Sequence, residues 1–111
     1  MITVQVARRE GHIGAFDIEG HSDYAEKGRD IVCAAVSALS QGAVMGLERV
    51  VGLSPVTTIR DGWLSLQRLS NRSLTVDQRQ QAQAILETMV IALKDIAREY
   101  PRNMTVVDQQ G

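Results

Sequence analysis

Apolar and polar residues alternate from the start of the chain: Ile2, Val4 and Val6 fall on one side, Thr3, Gln5 and Ala7 on the other. That two-residue period belongs to a half-buried strand. Glu10-Gly11 supplies a turn, and Ile13 to Glu19 reads as a second strand with Phe16 and Ile18 inward, so a hairpin is expected. From Gly20 to Gly28 the period breaks off into small, polar and charged residues. A loop of about nine residues is long for so small a chain.

A helical period then runs from Ile31 to about Val51, with Val32, Val36, Leu39, Ala43, Leu47 and Val50 on one face. Asp30 stands at its N-cap, where a carboxylate accepts the unpaired amides of the first turn. Ala35, Ala38, Gly42 and Gly46 keep another side thin enough for close approach of a neighbour. Val56 to Arg60 and Trp63 to Leu69 flank Asp61-Gly62, a second hairpin signal. The next helix is expected from about Val76 to Tyr100, opened by a Thr75/Gln78 capping box and stopped by Pro101. Met104 to Val107 can add a last short strand. The order ββαββα, with that final strand, implies an α+β fold: a two-layer sandwich of two helices on a mostly antiparallel sheet.

Size and charge narrow the function. At 111 residues the chain fits one domain, residues 1–111. Twelve Lys and Arg against 13 Asp and Glu leave a net charge of -1, which argues against a partner bound by phosphate neutralisation, so no nucleic-acid binding is expected. No run approaches the roughly 18 consecutive apolar residues of a membrane span. The N-terminus acquires charge by Arg8 and does not read as a secretory signal. One cysteine forbids an internal disulfide, and with two histidines it cannot close a structural zinc site, so a reducing cytosol and no metal are expected.

The chemistry that remains centres on Cys33 and His21. Cys33 lies in the first turn of the first helix, on the side of Ser37, Ser40 and Gln41 and away from the middle of the apolar stripe. The positive end of the helix dipole favours a thiolate there, so Cys33 is a candidate nucleophile; a packed core cysteine in the run IVCAAV is the alternative. His21 follows Gly20 at the mouth of the loop and can act as a base toward a thiol, or simply be a solvated loop histidine. Asp30 can orient His21 or only cap the helix. Ser37, one turn beyond Cys33, can bond substrate or thiolate, or return its hydroxyl to the Cys33 carbonyl. Gly20 and Gly28 bracket the loop as hinges for a lid. Backbone N–H groups around Cys33 are the expected oxyanion donors. His12 reads as a surface residue, and no phosphate-cradling glycine pattern is present.

The run GHSDYAEKGRDIVCAAVSAL, Gly20 to Leu39, closely resembles the signature of the ribosomal-processing cysteine protease family, Prp. The order of strands and helices over the whole chain agrees with it, and Ser22 is a small departure from an alanine. The resemblance implies a Cys-His protease that needs no cofactor and removes the N-terminal extension of a large-subunit ribosomal protein precursor, the twenty-seventh of its series. It makes Cys33 the nucleophile and His21 the base, puts Asp30 and Ser37 at supporting positions, with Gly20 and Ser22 beside them, and implies a homodimer whose loop is ordered by substrate. Two rivals stand beside it. One is a non-catalytic ribosome-assembly module that grips the same protein; the other is a different thiol activity, for which a lone cysteine leaves no resolving partner.

Overall fold

The structure, a computed structural model, describes residues 1–67, 69 and 73–109. Its elements follow the expected order: β1 (Ile2–Arg9), β2 (His12–Glu19), α1 (Ile31–Arg49), β3 (Thr57–Arg60), β4 (Trp63–Leu66), α2 (Val76–Glu99) and β5 (Met104–Gln109). The five strands form one mixed sheet in the order β3-β4-β2-β1-β5. Every pair is antiparallel except β1 with β5, which runs parallel after the α2 crossover and is longer than the sequence pattern suggests.

Both helices contribute to one apolar core with the sheet. Val4, Val6, Phe16 and Leu66 from the strands meet Val36 and Leu47 of α1 and Leu86 and Leu93 of α2. Phe16 and Ile18 point inward as the alternation requires. Ile13 is also buried, although it is out of phase with them. A bulge explains this: Ala7 pairs with Ala15, Arg8 with Ile13, and Gly14 is the extra residue that reverses the side-chain phase.

Two further boundaries differ from the sequence reading by more than one residue. Strand β4 stops at Leu66 rather than Leu69, although the Leu69 amide still donates to the Gly14 carbonyl at 2.8 Å; Arg68 lies outside the described residues. Helix α1 ends at Arg49, so Val50, placed on the apolar face by periodicity, is its exposed C-cap. Ser40, expected on the polar side, is buried and returns its hydroxyl to the Val36 carbonyl at 2.7 Å. By length and composition α1 would pass for a membrane span. Its apolar content instead fills the core, with Val32, Val36, Ala43, Val44 and Leu47 buried. At α2 the capping box is present in full, each partner's side chain bonded to the other's amide.

Charge fixes β5 at the end of the sheet where the β1–β2 turn lies, and Arg8 also donates to the Gly11 carbonyl of that turn at 3.0 Å. The Arg8 guanidinium, with its side chain 9% exposed, donates to Asp108 at 2.7 Å and to Glu87 of α2 at 2.7 Å, and Lys94 reaches Asp108 at 2.8 Å. The Arg8 hydrogen bonds outweigh burial and, with Lys94, hold the Asp108 carboxyl at about 2. Asp108→Ala should therefore lower stability by about 3 kcal/mol, the low end for breaking a buried pair because Glu87 still pairs Arg8. A depressed carboxyl contributes its stability above the ordinary carboxylate range and loses it as pH falls toward 2. Urea unfolding of both proteins at pH 7 and pH 3 should show a smaller difference at the lower pH.

Candidate active site

The first turn of α1 organises its surroundings through one carboxylate. Asp30 has the extended backbone of an N-cap, and its Oδ1 accepts from the amides of Val32 at 3.1 Å and Cys33 at 3.0 Å. Its other oxygen faces the preceding loop, accepting from the amides of Tyr24 at 3.1 Å and Ala25 at 3.3 Å and from the Ser22 hydroxyl in a short bond. Burial works to raise this carboxyl, but the Ser22 hydroxyl and the Cys33, Ala25 and Tyr24 amides outweigh it and bring it to about 2. Asp30 is thus the helix cap the sequence suggested and also the anchor of the loop. It makes no hydrogen bond to His21, so the orienting role is not what the structure displays.

Cys33 is half-buried, packed against the core on one side and lining a groove of about 810 Å³ on the other. The packed-core reading of its position therefore holds in part, while the thiol keeps a side open to the groove. Its sulfur receives the Ser22 amide at 3.3 Å and lies 3.3 Å from the Ser22 hydroxyl oxygen. Ser22 is 1% exposed, and its carbonyl is held by the side-chain amide of Asn103, 81 residues away, at 2.9 Å. Tyr24 adds an edge-to-face contact with Tyr100, ring centres 5.4 Å apart, at the end of α2.

His21 lines the same groove but is exposed, and no hydrogen bond joins it to Cys33 among the described residues. Its ring lies over the β3–β4 turn: a Cβ at Gly62 would fall 2.7 Å from His21 Nε2. Gly62 has a left-handed φ of +72°, and its carbonyl accepts from the Gly20 amide at 2.8 Å, extending the β2–β4 ladder by one bond. Gly20 is just as constrained, since with φ +99° a Cβ there would run into the Met1 carbonyl oxygen. The Asp61-Gly62 hairpin, read from the sequence only as a turn, is a wall of the groove together with Ile59 and Trp63.

Ser37 lines the groove one turn beyond Cys33 and is exposed; its hydroxyl makes no hydrogen bond among the described residues, so it is not returned to the Cys33 carbonyl. One expectation fails. The amides of Val32 and Cys33 are taken by the Asp30 carboxylate and that of Ala34 by the Asp30 carbonyl, so they are not open oxyanion donors in this state. Capping and anion binding compete for the same N–H groups, and here the cap holds them. No cluster of metal-ligating side chains occurs among the described residues.

An α+β sandwich with a lone thiol in the first turn of a helix and a histidine on the same groove has the parts that a thiol hydrolase uses. The comparisons make the family specific. Residues 1–105 match the family model described as Cysteine protease Prp, and the chain belongs to that family of cysteine proteases. It is 34% identical over 106 residues to the ribosomal processing cysteine protease Prp of Bacillus subtilis, covering 93% of this chain and 95% of that one. The Prp of Staphylococcus aureus (strain Mu50 / ATCC 700699) is 32% identical over 107 residues, covering 94% of this chain and 95% of the relative. A crystal structure of the S. aureus protease with a covalently linked product peptide superposes with a TM-score of 0.84 at 31% identity, covering 98% of this chain and 100% of that one. A second, with a substrate peptide, gives a TM-score of 0.80 at 29% identity over the same shares.

Two substitutions probe this geometry. Asp30→Ala should cost about 2 kcal/mol, the upper end of an N-cap loss, and open residues 22–30 to limited proteolysis before the rest of the chain. Gly62→Ala should cost about 1–2 kcal/mol for the left-handed backbone alone. It should also displace the imidazole, read as a shift of the His21 Cε1–H resonance with the Cys33 neighbourhood unchanged.

Proposed function

We propose that this protein removes the N-terminal extension of a large-subunit ribosomal protein precursor, the twenty-seventh of its series, by thiol acyl transfer. The observation that carries the reading is the half-buried Cys33 sulfur on the wall of the groove that His21 also lines. The relatives' names and the covalently linked product peptide in the S. aureus structure support it.

In this reading His21 takes the Cys33 proton, and Sγ forms a bond to the scissile carbonyl carbon. The carbon–nitrogen bond breaks as His21 returns the proton to the leaving amine. Water, deprotonated by His21, then cleaves the thioester and restores the thiol. Asp30 acts by fixing the turn that carries Cys33. Ser37, with its hydroxyl open to the groove, is the donor best disposed toward the substrate carbonyl, replacing the committed helix amides. Since His21 rests on Gly62 rather than on the sulfur, substrate binding has to bring the two together. The same reading takes the protein to work in the cytosol as a homodimer without a cofactor.

Mass spectrometry of the precursor after incubation tests the proposal. A single cut near the precursor's N-terminus is expected with the wild type and none with Cys33→Ala. His21→Ala should lower kcat by about 10²–10⁴-fold. Precursor bound but uncut by the wild type would favour the binding-module reading.

A further inference from the structure

Ser22 is the buried polar residue that touches both the helix cap and the thiol. Its hydroxyl has one proton and lone pairs to share among three neighbours. Asp30 Oδ2 is in short contact, Cys33 Sγ is 3.3 Å away, and the Tyr24 amide donates to the oxygen at 3.4 Å. An ionised carboxylate accepts only, and a hydrogen bond to it is stronger than one to a neutral sulfur. The proton therefore goes to Asp30, and the sulfur meets an oxygen lone pair.

A thiol tolerates that arrangement by donating its own S–H to Ser22 Oγ. A thiolate does not, because two electron-rich atoms would face one another at 3.3 Å. The Ser22 amide, also 3.3 Å from the sulfur, is the one donor to it among the described residues. Other charged or titratable groups border the groove: His21, Asp23, Lys27 and Arg29 on the loop, Arg60 and Asp61 at the β3–β4 turn. None of these side chains is hydrogen-bonded to Cys33 or Ser22.

We propose that Ser22 is a positioning residue whose hydroxyl, committed to Asp30, holds Cys33 as the thiol at rest and releases the thiolate only when it turns its proton toward the sulfur. This deepens the protease reading, in which Cys33 is the nucleophile, by making that nucleophile latent until the loop around Ser22 rearranges. Asn103 and the Tyr24–Tyr100 contact, which tie the same loop down, oppose that rearrangement.

The test is the pH dependence of Cys33 alkylation by iodoacetamide in the full chain, followed by intact mass. Removing the hydroxyl in Ser22→Ala leaves Asp30 its four amide donors, so the cap is retained. The variant should alkylate faster at pH 7 by a factor of about 2–12, the equivalent of one net hydrogen bond. The midpoint of its rate–pH curve should move to lower pH while the high-pH plateau stays put. A midpoint that stays fixed, or a plateau that rises alone, would make Ser22 a packing residue and overturn the proposal. So would a midpoint moved to higher pH, which would mean that the hydroxyl already donates to the sulfur. If Ser22→Ala does not fold, Ser22→Gly removes the same hydroxyl without adding atoms and is read the same way. Cleavage of the precursor plays no part in this readout, so the protease reading can fail while the midpoint still decides the role of Ser22.

Discussion

The Asp30 carboxylate is the interaction on which the site depends. Its two oxygens collect five donors, two from the first turn of α1 and three from the loop before it. A helix start has unpaired amides and an irregular loop has amides with no ladder to join; one half-buried anion answers both needs. That is why its carboxyl titrates well below the usual range despite burial. Remove the charge, and the turn that carries Cys33 and the segment that carries Ser22 lose their common anchor.

The sheet supplies the second half of the geometry. Because β2 pairs with β4, the Asp61-Gly62 turn arrives beside the end of β2, and the Gly20–Gly62 bond continues the ladder to the residue before His21. The imidazole can rest there only because Gly62 has no side chain. At the opposite end of β1, Arg8 draws Asp108, Glu87 and Lys94 into one network that fixes β5 and α2. The turn leading from α2 into β5 also carries Asn103, which reaches back to the Ser22 carbonyl. The segments around Cys33 are thus also held by noncovalent contacts far apart in sequence, Gly20 with Gly62 and Ser22 with Asn103.

Much of this was legible in the residue order. The period-two runs, the two turn dipeptides, the capping box at Thr75 and the helical stripes locate all seven elements, because each depends on neighbours within a few positions. The chemistry was legible too: Cys33 in a first turn, His21 at a loop mouth and Asp30 at a cap are local facts. What could not be read was long-range. Nothing near Gly62 says that His21 will lie on it, and nothing near Asn103 points to Ser22. The Gly14 bulge reverses the phase that placed Ile13 outward. The helix amides proposed for an oxyanion proved to be spent on Asp30, a competition that residue spacing does not rank.

On the proposed reading these contacts keep the nucleophile latent. The sulfur is partnered by Ser22 and the imidazole lies on Gly62, beside a loop that Asp30 and Asn103 hold. On that reading the substrate is the agent that assembles the site. The most direct measurement is an acid quench of wild-type protein mixed with the ribosomal precursor, followed by peptide mapping of the enzyme. The acyl-transfer mechanism predicts a transient mass increase equal to the precursor's N-terminal fragment less one water, located on Cys33 as a thioester. Cleavage with no adduct on Cys33, or with an adduct on another residue, would contradict it.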